Sequence, residues 1–365
     1  MAAPLLLHVY ATFAVGGPQV RFAALANRFG RDFRHAVIAM DGNLAARERL
    51  DAGLDVTWPQ VDIRKGDTLG NRRRFRAVLR AMRPDALVTS NWGSIEWAMA
   101  NTPTLVRHIH VEDGFGPEER EHQLPRRVWT RRLLLRRATV AMPSRVLWRL
   151  AKQVWRLPPR HLRYIPNGID LRRFAVTSRP PSVPPVIGTV AALRPEKNLA
   201  RLIRVFAQIR TNTQCRLVIA GDGPSRAGLE ALALELGVAD AVTFPGHVSD
   251  TPALYAGFDV FALSSDTEQM PLSVLEAMAA GLPVVSTDIG DVRAMLASDN
   301  AGFVVPMRDE AALADALSTL LADAALRARL GAANRRCAEV NFDQETMFAA
   351  WHAMFAGSLP PVAPL

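Results

Sequence analysis

The stretch Leu263–Ala294, LSSDTEQMPLSVLEAMAAGLPVVSTDIGDVRA, constrains the fold more than any other part of the chain. It begins at the end of an apolar run, Asp259–Leu263, whose length and composition suit a buried strand, and passes into a polar loop, Ser264–Gln269. Pro271 suits the first helical position, where a missing N–H has no intrahelical acceptor to lose. From Leu272 to Ala280 only Ser273 and Glu276 are not apolar, so the helix is expected to be buried nearly all round. Gly281 and Pro283 stop it, and Val284–Thr287 starts another strand. Strand, loop, helix, strand is the repeating unit of a parallel α/β sheet.

Glu276 breaks the pattern. A carboxylate on a buried helix needs donors, either from an internal arginine or from a ligand such as the vicinal diol of a ribose. Glu268 lies in the loop feeding the helix, where the backbone N–H groups of Gln269, Met270 and Leu272 can point at an anion. One acid near the helix mouth and one a turn inside describe a sugar-nucleotide site; an internally paired Glu276 and a solvated Glu268 are the plain alternative.

The E-x7-E spacing of Glu268 and Glu276, followed by EAMAAGLPVVST, resembles the retaining enzymes of glycosyltransferase family 4 (GT4). The likeness recurs in order at Ile165–Asp170 (IPNGID), Leu193–Asn198 (LRPEKN), Leu217–Pro224 (LVIAGDGP) and Phe244–Gly246 (FPG). It is dense in the C-terminal half and loose in the N-terminal half. The resemblance implies the GT-B fold: α/β, two facing Rossmann-like domains with mostly parallel sheets and an inter-domain cleft.

On that basis residues 1–175 are expected to form an N-terminal acceptor domain, joined by a final crossover helix, 343–357, and residues 186–342 a nucleotide-sugar donor domain. The linker is 176–185, within the proline-rich VTSRPPSVPP. The length of 365 residues suits two domains. Alternating signals support parallel sheets: strands at Leu5–Tyr10, His35–Met40, Asp55–Trp58 and Ala86–Ser90, helices at Val20–Phe29, Leu44–Ala52 and Gly70–Met82.

Charge divides at the same place. Residues 1–180 carry 31 Lys+Arg against 15 Asp+Glu, and residues 181–365 carry 13 against 20. The basic half could face anionic lipid, a lipid-diphosphate acceptor or nucleic acid. Pro125–Arg137, PRRVWTRRLLLRR, and Val146–Leu157 read either as a basic amphipathic surface for peripheral membrane contact through 125–157 or as outer helices with buried Trp and Leu. Two cysteines give neither a disulfide framework nor a metal cluster and fit a reducing compartment, so the protein is expected in the cytoplasm, on the inner face of the membrane.

Only three lysines occur, Lys65, Lys152 and Lys197, which makes Lys197 in a loop after a strand conspicuous. The family's G-R-L-x3-K clamps the donor diphosphate with an arginine and a lysine; here Ala192 stands in the arginine's place and Arg194 lies two positions on. The resemblance assigns Lys197 and Glu268 to the reaction, with His110 supporting the sugar. Donor binding falls to Gly16, Gly17, Arg194, Val248, Gln269, Met270, Pro271, Leu272 and Glu276. The implied chemistry is front-face: a leaving-group phosphate oxygen takes the acceptor proton, and no divalent metal or other cofactor is required.

The family's E-G-F-G is here Glu268-Gln269-Met270-Pro271, so donor identity does not carry over; a UDP-hexose or UDP-N-acetylhexosamine is favoured over GDP-mannose. The acceptor is expected to be a glycan or a lipid-linked glycan of the cell envelope, with no nucleic acid as partner. A GT-B sugar-nucleotide epimerase is the rival within enzymes, and a basic nucleic-acid-binding protein the rival outside them.

Overall fold

A computed structural model describes residues 3–119, 122–174 and 182–358. The chain forms two compact units, Met1–Pro166 with Met347–Leu365, and Asn167–Thr346. The first is built on a seven-stranded sheet of β1 (Leu5–Tyr10), β2 (Arg34–Ala39), β3 (Val56–Thr57), β4 (Ala86–Ser90), β5 (Arg107–Val111), β6 (Thr139–Met142) and β7 (Leu162–Tyr164), in the order β3-β2-β1-β4-β5-β6-β7. The second has six strands, β8 (Val186–Val190), β9 (Arg216–Ala220), β10 (Val242–Gly246), β11 (Val260–Leu263), β12 (Val284–Thr287) and β13 (Val304–Val305), in the order β10-β9-β8-β11-β12-β13. Each pairing is parallel.

Parallel strands buried on both faces read as near-continuous apolar runs. In the second unit one face of the sheet buries Ile187, Leu217, Ile219 and Val285 against the helices Leu199–Arg210 and Glu310–Ala322, and the other buries Phe261, Val284 and Val304 against Leu272–Ala279. In the first unit Leu6, Val88 and Ile109 pack on Met347, Phe348, Trp351 and Phe355 of the last helix, Gln344–Ala356. Burying each such large side chain contributes about 1.5–3 kcal/mol, enough to tie the chain's end to the first sheet.

The division falls at Pro166/Asn167, because Ile169 and Phe174 lie in the second unit's core and Ile169 bridges to Asp343. Of the expected linker, 176–181 lie outside the described residues. Beyond them the Asp259 carboxylate accepts the N–H groups of Ser182 (3.3 Å) and Val186 (2.9 Å), so the entry into β8 is fastened. The expected helix at Leu44–Ala52 is only a short 3-10 turn, Ala45–Arg49.

In each sheet strand order reverses once, between β1 and β4 and between β8 and β11. Loops leaving the carboxyl ends of such a strand pair diverge and leave a crevice, where ligands of open α/β sheets collect.

Candidate active site

In the second unit the β8 loop carries Lys197 and the β11 loop carries Glu268, so the reversal in strand order brings these distant residues together. Lys197 ends the 3-10 turn Pro195–Lys197, and Asn198, in the left-handed conformation (φ 43°), caps the helix Leu199–Arg210 by accepting the Arg201 N–H. The two loops are stitched by buried polar contacts. Arg201 donates to the Asp266 carboxylate at 2.8 Å and to the Ser264 carbonyl at 2.9 Å, Asn198 Nδ2 donates to Asp266, and the Asp266 N–H donates to the Glu196 carbonyl. On this platform Lys197 Nζ lies 2.5 Å from Glu268 Oε1, which also accepts Ser265 Oγ at 2.9 Å.

The far side of the acid loop leans on Gly290. Its φ is +53°, and a Cβ there would come within 2.5 Å of the carbonyl oxygens of both Glu268 and Gln269. The Asp291 N–H donates to that Gln269 carbonyl at 2.8 Å. A Gly290→Ala variant is therefore expected to lose about 1–3 kcal/mol of stability through strained backbone and displaced carbonyls, read by urea unfolding; an unchanged midpoint would show that the loop yields freely.

Pro271 is the N-cap of the helix Leu272–Ala279, not its first residue, with extended ψ of 125° and no side-chain cap. The chain reaches the helix directly from a loop pinned at Met270, whose carbonyl accepts Asn167 Nδ2 at 3.1 Å. That contact gives the IPNGID motif a structural task that its sequence did not announce.

Glu276 is half-buried, one turn inside the helix. Among the described residues its hydrogen-bond partner is a phenol: the Tyr255 hydroxyl, on a fully buried ring, reaches Glu276 Oε2 at 2.8 Å. No guanidinium pairs with it within salt-bridge distance among the described residues. Burial raises the Glu276 carboxyl above its ordinary value, against the opposing pull of the Tyr255 hydrogen bond and the Arg173 charge. Sequence reasoning missed Tyr255, although a tyrosine amid an apolar segment must find a partner for its hydroxyl when buried.

Arg194 is exposed and lines a groove of about 340 Å³ with Pro195, Leu199, Pro224 and Ser225, which neither Lys197 nor Glu268 enters. Val248 is half-buried in the loop that follows β10.

In the first unit Gly17 is the first residue of the helix Gly17–Phe29, which starts three residues before the expected Val20, with Pro18 in its first turn. Gly16 is its extended N-cap. A Cβ at Gly16 would come within 2.9 Å of Gln19 Oε1, on a buried side chain whose Nε2 donates to the Thr12 carbonyl.

His110, on β5, is wholly buried. The Thr89 hydroxyl bridges its Nδ1 and His108 Nε2, each at 2.8 Å, and burial brings His108 down to about 3. His110 Nε2 lies 3.4 Å from Glu112 Oε2, whose carboxylate contacts Arg131 Nε at 3.3 Å. Arg131 is fully buried, paired through two nitrogens with Glu119 and enclosed by the rings of Trp92, Phe115 and Trp155. The basic stretch is therefore not one uniform face: Arg131, Trp148 and Trp155 turn inward, while Trp129 and Leu133 are 57% and 71% exposed. No three His, Cys, Asp or Glu side chains among the described residues come together as a metal site. No helix among them is long and apolar enough to cross a membrane.

Residues 15–173 match the family model described as Glycosyltransferase Family 4, and residues 174–336 that described as Glycosyl transferases group 1. The chain belongs to glycosyltransferase family 4. This GT4 chain is 32% identical over 215 residues to the GDP-mannose-dependent alpha-(1-6)-phosphatidylinositol monomannoside mannosyltransferase of Mycobacterium tuberculosis, a match spanning 53% of the chain and 55% of that protein. It is 28% identical over 267 residues to the D-inositol 3-phosphate glycosyltransferase of Stackebrandtia nassauensis, spanning 67% of the chain and 59% of that protein. The chain thus spans little more than half the length of these curated relatives.

Among solved structures, Anabaena HepE in complex with UDP superposes with a TM-score of 0.81 at 19% identity, over 97% of this chain and 100% of that one. Sucrose-phosphate synthase from Thermosynechococcus elongatus gives a TM-score of 0.78 at 20% identity, with the same coverage. The fold is GT-B.

Proposed function

We propose that this GT4 chain transfers a hexosyl unit from a nucleotide sugar, with retention of configuration, to a glycan or lipid-linked acceptor in cell-envelope polysaccharide biosynthesis. The observation that carries the reading is the Lys197–Glu268 pair held at the strand-order reversal of the second unit, with Glu276 on the adjoining helix joined to a phenol and, among the described residues, to no cation within salt-bridge distance. In this reading Lys197 faces the donor diphosphate, Glu268 the sugar, and Glu276 the ribose hydroxyls. The backbone around Gln269–Leu272 and Val248 completes the nucleotide site. Because a fixed ammonium neutralises the departing diphosphate, no divalent metal is needed for that step.

His110, Gly16 and Gly17 are assigned to the sugar and phosphates from the first unit. We assign Arg194 an accessory part at most, since its groove excludes Lys197. A UDP sugar is favoured by the UDP bound to HepE. The mannosyltransferase relative, named for GDP-mannose, marks the competing donor, and the phosphatidylinositol monomannoside in its name and the inositol 3-phosphate in that of the second relative favour a polyol or lipid-borne acceptor. The exposed Trp129 and Leu133 on a basic helix give that acceptor's membrane a place to touch, on the cytoplasmic side.

A thermal-shift screen over UDP-, GDP- and ADP-sugars tests the reading; stabilisation by one nucleotide class is expected, and none at millimolar concentration would reject it. Glu276→Gln sharpens the test. A carboxyl whose folded pKa lies above its unfolded value of 4.5 binds extra protons in the folded state, so its contribution to stability declines as pH rises through that interval. Glutamine carries no such penalty and can still accept from Tyr255. Unliganded E276Q is therefore expected to melt above wild type at pH 7 and level with it near pH 4. Donor affinity should fall about 10- to 100-fold through the lost charged acceptor. A variant that melts lower at pH 7 yet binds donor normally would assign Glu276 a structural role.

A further inference from the structure

At the opposite end of the first sheet, where β5, β6 and β7 begin, a cavity of about 530 Å³ lies between the Asn101–Thr104 turn and the end of the helix Pro125–Leu134. Arg136, Arg137, Arg160 and His161 line it, and among the described residues no carboxylate does. The three arginine side chains make no hydrogen bond or ion pair among the described residues. Elsewhere in the same unit Arg21, Arg74, Arg127 and Arg131 each face an acid.

All three arginines are exposed, so the cavity carries three solvent-facing guanidinium groups with no counter-charge among its described lining residues, and a multiply charged anion bound there would be attracted by each of them. The planar fork of arginine also matches phosphate oxygens. The His161 pKa is pushed down first by burial and then by the charges of Arg160, which lines the cavity, and Arg163, which does not. His108, buried beside the cavity and lowered to about 3, stays neutral and adds no charge of its own. Leu133, largely exposed, forms an apolar rim.

We propose that this cavity is an anion site, separate from the Lys197–Glu268 site, that takes a phosphate or diphosphate group while the rest of the same molecule lies against Leu133 and Ala98. The site stands on its own residues and holds whether or not the donor assignment is right.

Calorimetric titration of the full chain with inorganic pyrophosphate at fixed ionic strength tests it, using wild type, the Arg136→Gln/Arg137→Gln/Arg160→Gln variant and Lys197→Ala. Binding is expected to persist in the lysine variant and to weaken at least about tenfold in the triple variant. Arg160→Gln alone, with a loss of about two- to fivefold, serves if the triple variant folds poorly. Binding lost with Lys197 but kept without the arginines would overturn the cavity site while leaving the donor reading intact. Binding unchanged in both, or absent from wild type at millimolar concentration, would also overturn it.

Sedimentation with phosphatidylcholine vesicles, with and without phosphatidic acid, separates the two sources of phosphate. Vesicle binding lost along with pyrophosphate binding in the triple variant assigns a lipid-borne group. Pyrophosphate binding lost alone assigns a soluble one.

Discussion

Lys197→Ala is expected to lower kcat for glycosyl transfer by about two to three orders of magnitude, the usual loss when one preorganised donor to developing charge is removed. The ammonium lies beside Glu268 with 23% of its side chain accessible, so it is held by the loop network and still open to a ligand. Negative charge accumulates on the leaving diphosphate as the glycosidic bond breaks, so the interaction is stronger in the transition state than in the ground state. The donor KM should therefore move much less than kcat. Lys197→Arg keeps the charge but replaces a point ammonium by a broad fork, and should recover only part of the rate. Initial-rate measurements across donor concentrations decide the matter; a kcat within tenfold of wild type would remove Lys197 from the leaving-group role.

Arg131→Ala is expected to destabilise the protein by about 3–5 kcal/mol, because it leaves the buried Glu112 carboxylate without its cation and takes from Glu119 one of its two arginine partners, the other being Arg127 at 3.1 Å. Glu112 and Glu119 are both fully enclosed, and Glu112 Oε1 already lacks a partner. The cavity among Trp92, Phe115 and Trp155 adds to the loss. The effect should reach His110, since Glu112 is the group that ties the ring to this network. Combining Arg131→Met with Glu112→Gln, which fills the space and removes the orphaned charge, should recover part of the loss. Urea unfolding measures both variants, and a loss below about 1 kcal/mol for Arg131→Ala would mean that water reaches the site and the carboxylates remain solvated.

Several strands were legible to the residue. Leu5–Tyr10, Ala86–Ser90 and Val284–Thr287 stand where the sequence places them. Interior parallel strands must be apolar on both faces, which leaves a continuous signature that needs no knowledge of neighbours. Helix starts were harder: the helix expected from Val20 opens at Gly17 with Pro18 in its first turn, and Pro271 caps a helix it was expected to begin. Both are choices among a few adjacent backbone conformations of similar energy, which packing settles.

The acids and the lysine of the second unit were also legible, because a charge inside an apolar run, or a rare lysine in a loop after a strand, is anomalous on its face. Their partners were not. Tyr255 beneath Glu276, Asp266 and Arg201 joining two loops, and Arg131 turned inward from a run of arginines depend on contacts between residues far apart in the chain, and on which side of a helix meets the sheet. Local sequence thus determined where strands run and which charges are out of place, since burial acts on each segment separately. Only the tertiary structure decided which charge meets which, because that follows from strand order and distance through space.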